Sequence, residues 1–211
     1  MAYDLEEQEQ LSALKAWWQQ YGKLVSVTVV VAVLAVAAVR GWHYYQNRQA
    51  SSGAVLFEQL LSAESGNDHK KVRDIAAQIV DRYGSTQYAT LAALSAARSD
   101  FETGDLPAAR QRLQWVMDKA QETEVRDVAR LRLARVLLDE KNLVEALKQL
   151  EAKPGESFAG LYAELRGDVL IASGKPAEAR VAYQAAFDQS DAASPSRQIL
   201  QLKLDSLGEA K

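Results

Sequence analysis

Apolar and polar positions follow three different rhythms along this chain. Between Lys23 and Arg40, the segment Leu24–Val39 runs sixteen residues without a charge, and Ser26 and Thr28 are its only polar side chains. At about 1.5 Å per residue, such a helix covers about 24 Å, short of a hydrocarbon layer of about 30 Å. The flanks supply the remainder: Tyr21 and Gly22 precede it, and Arg40, Gly41, Trp42, Tyr44 and Tyr45 follow, a snorkelling cation and rings suited to the headgroup region. The spacing predicts one membrane-spanning helix over residues 22–44, with Leu24, Val39, Trp42 and Tyr44 marking its ends. In the leader, residues 1–21, Leu11, Leu14, Trp17 and Trp18 recur at helical spacing behind an acidic first stretch, as in a short amphipathic helix lying on a membrane or as part of an aromatic belt.

Two other readings of the apolar run are weaker. A buried strand or core helix is disfavoured because sixteen residues exceed a usual strand and no βα punctuation surrounds them. A cleaved signal peptide would open on a short positive region, whereas residues 1–23 carry Asp4, Glu6, Glu7 and Glu9 against Lys15 and Lys23. An uncleaved anchor follows. Its orientation does not, since Lys15 and Lys23 before the span balance Arg40 and Arg48 after it.

Beyond residue 45 the rhythm changes to a helical one, without hairpin dipeptides or sustained alternation. Residues 45–53 read as a linker, leading to a first helix near Ala54–Ala63. Three turns then align: Gly104-Asp105, Lys141-Asn142 and Gly174-Lys175, each with an Ala five positions past its start, at Ala109, Ala146 and Ala179. Counting back 33 residues from Ala109 reaches Ala76 and a weaker fourth unit. One helical turn after each Ala stand Val80, Leu113, Leu150 and Tyr183, on the same face. Seven residues before each clear turn stand Ala97, Ala134 and Gly167, small side chains where two helices would have to approach closely. This is the tetratricopeptide pattern of helix-turn-helix units of about 34 residues. A stripe of Phe158, Leu161, Tyr162, Leu165 and Val169 supports the last unit, and Lys153-Pro154-Gly155 breaks the chain before it. Ser194-Pro195 opens a final helix through Ile199, Leu200, Leu204 and Leu207, the cap that a solenoid needs on its last apolar face. The fold class expected is all-α: a single transmembrane helix, a tetratricopeptide-like solenoid over 54–193, and a capping helix with tail over 194–211.

Charge and chemistry narrow the function classes. Lys and Arg number 25 against 28 Asp and Glu, so no basic footprint points to nucleic acid. The absence of Cys excludes disulfides, thiol catalysis and thiolate metal sites, and a Cys-free chain suits an oxidising compartment. His43 and His69 lie far apart, neither in a ligand spacing, and no phosphate-binding glycine loop or nucleophile-base set occurs. Neither an enzyme nor a cofactor is expected.

The acidic leader Glu6–Leu11, Trp17-Trp18 before Gly22-Lys23, the span's end at Arg40–Tyr45, the run Leu131–Val136 and the run Leu165–Leu170 carry a resemblance over essentially the whole chain. In their order the chain resembles the ancillary SecYEG translocon subunit family, bacterial inner-membrane proteins with one span and a tetratricopeptide-like periplasmic domain. The resemblance implies a cytoplasmic N-terminus, periplasmic repeats, and association with the SecYEG translocon and with a membrane-anchored periplasmic peptidyl-prolyl isomerase. It further implies a chaperone-like role toward unfolded secreted proteins emerging from the translocon, and a link between the leader and envelope-stress signalling. It supplies no catalytic residues. Stacked helix pairs present a concave surface for segments of other proteins, and an anchor in the same bilayer raises the local concentration of a partner there. On that surface Arg126, Arg130, Arg132 and Arg135 are candidates for partner binding, against a solvated face in which Arg135 pairs with Asp139. A scaffold that tethers one specific partner is the competing function.

Overall fold

The computed structural model describes residues 2–191 and 194–208, with side chains from Gln10 onward. The leader's acidic side chains Glu6, Glu7 and Glu9, and the tail 209–211, lie outside the described residues. Among those described, nine α-helices and a 3₁₀ turn account for the regular structure, and there is no strand. The chain divides into two compact units, Met1–Gln49 and Ala50–Lys211.

The first unit is helical, the greater part of α1 (Ala2–Ser65). Its side chains Leu24, Val39, Trp42 and Tyr44 are exposed, as are nearly all the apolar side chains between them. Among the described residues this stretch is exposed rather than buried as a core helix would be, and it is long and apolar enough to cross a membrane. Its one threonine is reconciled with such surroundings locally, because the Thr28 hydroxyl donates to the Leu24 carbonyl at 2.9 Å. Aromatic rings gather on either side. Trp17 and Tyr21 lie 5.9 Å apart, Trp42 and Tyr45 6.3 Å apart, and the Trp18 indole lies over Gly22, where a Cβ would come within 3.0 Å of the ring.

The linker expected at 45–53 is instead helical throughout, because α1 continues to Ser65. No proline interrupts this stretch, and its lone Gly53 costs a helix only about 1 kcal/mol. That glycine lies against Tyr83, Thr86 and Tyr88, where a Cβ would make ordinary contacts at 3.5–3.6 Å.

In the second unit, the end of α1 pairs with α2 (His69–Tyr83), α3 (Gln87–Glu102) with α4 (Leu106–Lys119), α5 (Thr123–Asp139) with the short α6 (Leu143–Gln149), and α7 (Ala159–Ala172) with α8 (Pro176–Gln189). Helix α9 (Pro195–Ser206) closes the stack against α8, burying Leu200 and Leu204. Each pair turns through the same joint. Asn67, Gly104, Lys141 and Gly174 all have positive φ, at 53°, 81°, 63° and 72°. The next N–H in each case reaches back five residues: Asp68 to Ala63, Asp105 to Asp100, Asn142 to Leu137 and Lys175 to Leu170, at 2.8–3.0 Å. These are Schellman closures, which satisfy the last carbonyls of one helix while the following residue starts the next.

The joints fix the register of the repeats and correct one expectation. Five positions past Asn67 lies Val72, not Ala76, so Ala76 occupies the place of Leu113, Leu150 and Tyr183. Seven positions before Asn67 lies Leu60, in the place of Ala97, Ala134 and Gly167. Leu60 and Ala76 are both fully buried in one core cluster. Large and small have changed helices: the first pair puts its bulky residue on the first helix, and the other three put it on the second. In the last pair the requirement is steric, since a Cβ on Gly167 would lie 2.9 Å from Tyr183 Cζ and overlap its Cδ1 and Cε1.

Buried carboxylates tie neighbouring pairs together. Asp100 on α3, 1% exposed, accepts from Arg112 Nε of α4 at 2.6 Å and lies 3.6 Å from Arg73 Nη1 of α2. Asp127 on α5 accepts from the Gly155 N–H at 2.9 Å through Oδ2, while its carbonyl accepts from Tyr162 Oη at 3.1 Å. Asp127 therefore holds the loop after α6 and the start of α7 against α5. A buried, paired carboxylate contributes little net attraction, but removing a partner is costly, and Asp100 Oδ1, buried with no hydrogen bond, relies on the Arg73 charge alone.

Candidate functional site

Helices α3, α5 and α7 contact one another in sequence, and the end of α1 meets α3 across a shared cavity, so the four follow one layer of the second unit. Three cavities lie along it. The first, about 330 Å³, is bounded by Leu61 and Glu64 of α1 and by Ser95, Arg98 and Glu102 of α3. The second, about 380 Å³, has an apolar floor of Ala97, Phe101, Leu113 and Val136, with Arg98, Glu102, Arg132 and Arg135 at its edge. The third, about 220 Å³, lies between Leu131, Arg132 and Arg135 of α5 and Leu161, Glu164 and Leu165 of α7. Adjacent cavities share lining residues, Arg98 and Glu102 between the first two and Arg132 and Arg135 between the last two, so they follow one another along a groove on this layer. Leu61 and Leu161 are both 46% exposed at its ends.

The four candidate arginines of α5 separate into two roles. Arg126 points back to the end of α4, donating through Nη1 to the carbonyls of Ala120 and Gln121 at 2.9 Å and through Nη2 to Thr123 Oγ1 at 3.0 Å. It finishes a helix terminus. Arg130 pairs with Asp127 at 3.4 Å, beside the loop after α6. Neither lines the groove cavities. Arg132 and Arg135 do. Arg135 does not pair with Asp139 as its i+4 spacing suggested. Its Nη2 lies 3.6 Å from Asp168 Oδ2 of α7, because the next repeat brings a carboxylate to the same layer. Arg132 Nη1 donates to the Leu94 carbonyl at 3.3 Å. Partial desolvation in the concavity, followed by the like charge of Arg98, pushes the Arg132 guanidinium below its usual pKa, with Glu64 opposing the shift.

The α7 end of the groove is held by a polar cluster that sequence reasoning missed. Lys203 of α9 donates to Glu164 at 2.8 Å and to Asp168 at 2.7 Å, and Tyr183 Oη donates to Asp168 at 2.8 Å. Burial first, and then the bond to Asp168, raise the Tyr183 pKa well above the usual tyrosine value. Only Tyr183 carried a sequence signal, as the bulky partner of Gly167; Lys203 stands 39 and 35 residues from its acids, beyond any local pattern. Among the described residues no group of three or more metal-ligating side chains occurs.

Residues 15–209 match the tetratricopeptide repeat-like domain family. The ancillary SecYEG translocon subunit of Haemophilus influenzae is 30% identical, over 98% of this chain and 100% of that relative. The corresponding protein of Neisseria gonorrhoeae is 32% identical over the same shares. The chain belongs to the ancillary SecYEG translocon subunit family. The Escherichia coli ancillary SecYEG translocon subunit is 29% identical, over 95% of this chain and 96% of that relative. For this member of the family, the expected order of apolar helix, repeats and closing helix is the order observed.

Proposed function

We propose that the chain is a non-catalytic, single-span protein of the bacterial inner membrane that associates with the SecYEG translocon and holds secreted proteins as they emerge from it. Residues 1–21 lie in the cytoplasm, residues 22–44 cross the bilayer, and the repeats with their capping helix occupy the periplasm. A membrane-anchored periplasmic peptidyl-prolyl isomerase is its second partner. The reading is carried by one observation: an uncovered apolar helix and a repeat domain with an open groove stand in one chain, matched end to end by relatives named for the translocon. A groove with exposed leucines and shallow cavities suits weak, reversible contact with extended segments, and anchoring beside the translocon lets weak contact suffice. The groove contacts fall to Arg132 and Arg135.

Three measurements test it. In cells stripped of the outer membrane, protease should digest the repeats while a tag ahead of Met1 survives; protection of the repeats until lysis would refute the topology. The full chain, purified with its span, should bring SecYEG with it. At several-fold molar excess in nanodiscs it should slow aggregation of unrelated unfolded proteins. No such effect, together with tight binding to one folded partner, would establish the tethering scaffold instead.

A further inference from the structure

Along the groove the cations differ in whether a carboxylate lies at ion-pair distance. Glu102 is engaged by Arg98 at 2.8 Å, and Glu164 and Asp168 by Lys203 at 2.8 and 2.7 Å, with Arg135 also 3.6 Å from Asp168. Arg132 has no carboxylate within ion-pair distance among the described residues, and the Leu94 carbonyl occupies only one arm of its fork. Its other donors are available beside the apolar floor of the central cavity. Desolvation and the neighbouring Arg98 disfavour the charge on Arg132 and Glu64 offsets them only in part, so an incoming carboxylate at ion-pair distance would add charge-assisted bonds that the guanidinium does not now make.

We propose that the groove recognises an internal acidic side chain, Asp or Glu, in an extended client segment, with Arg132 as the group that receives the carboxylate and the floor of Phe101, Leu113 and Val136 taking an apolar neighbour. The proposal rests on the client-binding reading above and assigns its chemistry. The acid belongs to an internal position because the central cavity has a neighbouring cavity on each side, sharing Arg98 and Glu102 with one and Arg132 and Arg135 with the other, so a bound segment has room to continue both ways. Four helices at about 9–10 Å spacing present a track of roughly 30 Å, which an extended segment of about nine residues would fill. Glu64 and Glu102 on one side and Glu164 on the other disfavour further acids along the track. The preferred segment therefore has one acidic residue among apolar ones, with Leu61 and Leu161 meeting its ends.

The test uses the full chain in lipid nanodiscs, with empty discs as blank, and dansyl-labelled, C-terminally amidated dodecapeptides of Leu and Ser carrying a single central Glu, Gln or Lys. By fluorescence titration the Glu probe should bind about tenfold more tightly than the Gln probe, the worth of one charge-assisted hydrogen bond. Arg132→Gln should erase that difference, the Glu and Gln probes binding the variant alike, and Arg132→Glu should turn the preference toward Lys. Equal affinity of the unaltered protein for the Glu and Gln probes would overturn the proposal, while binding of both would leave client holding intact. Binding of neither would bring down both. Persistence of the Glu preference in Arg132→Gln, or stronger binding of a Gln probe bearing a free C-terminal carboxylate than of the amidated Glu probe, would overturn the assignment to Arg132 and an internal acid.

Discussion

Replacing Gly167 by Ala sets a local gain against a tertiary loss at the crossing of α7 and α8. In a helix interior Ala is favoured over Gly by about 1 kcal/mol, so propensity alone predicts a more stable protein. The added methyl would overlap the Tyr183 ring, which is 4% exposed, and this ring cannot retreat without leaving its bond to Asp168. Expelling the ring forfeits about 2 kcal/mol of burial and about 1.5 kcal/mol for a hydrogen bond to a carboxylate. The balance is a loss of about 2 to 3 kcal/mol, or about 5 to 10 °C in the midpoint of a repeat unit this size. Thermal unfolding of the full chain in micelles, followed by circular dichroism at 222 nm, reads that shift. Gly160→Ala, in the same helix, is the control: its Cβ would sit 3.6 Å from Gln189 Cβ, an ordinary contact, and should change stability by less than about 1 kcal/mol. In the presence of Tyr183→Ala, Gly167→Ala should recover its propensity gain, making the pair strongly non-additive. A higher midpoint for Gly167→Ala alone would refute the steric account of this crossing.

Two further outcomes follow from the joints and from the buried tyrosines. Lys141 holds a φ of 63° without glycine's freedom, so Lys141→Gly should raise stability by about 1 kcal/mol in urea titration, whereas Gly104→Ala, at a φ of 81°, should lower it by a similar amount. Burial raises the pKa of Tyr162 and Tyr183 above the unfolded value near 10, so the unfolded chain loses these protons first. Their contribution is complete below about pH 10 and declines as pH rises toward the folded values. Absorbance at 295 nm should show a late fraction of tyrosinate that disappears in Tyr162→Phe and Tyr183→Phe, and titration of all tyrosines together near pH 10 would contradict this.

The helical class, the uncovered apolar span and the last three turns were legible because each rests on short-range chemistry: a charge-free run, a positive-φ residue before a helix start, small residues seven positions earlier. The first repeat was harder to place. Its joint is 37 residues from the next, as is that of the third from the second, but its bulky and small core residues are exchanged, so aligning on Ala selected Ala76 in place of Val72. The helical course of 45–53 was hidden by a weak composition, Gln, Ser and one Gly, that suits either a helix or a linker. Of the four arginines, sequence spacing could not separate those that finish a helix or hold a loop from those that line the groove. Partners such as Ala120, Leu94 and Asp168 lie on other helices.

The exchange of Leu60 and Ala76 bears on how freely such a protein can be rebuilt. The four helix pairs share one joint, and a designer could treat them as interchangeable beads on a string. They are not. Grafting α4 in place of α2 would set Leu113 against Leu60, two large side chains in a space shaped for one, while grafting α2 in place of α4 would leave Ala76 beside Ala97 and a void. Overfilling costs about 1–3 kcal/mol and a cavity of that size about 2–5 kcal/mol. The first pair is thus keyed to itself, and exchange between it and the others is workable only for whole pairs.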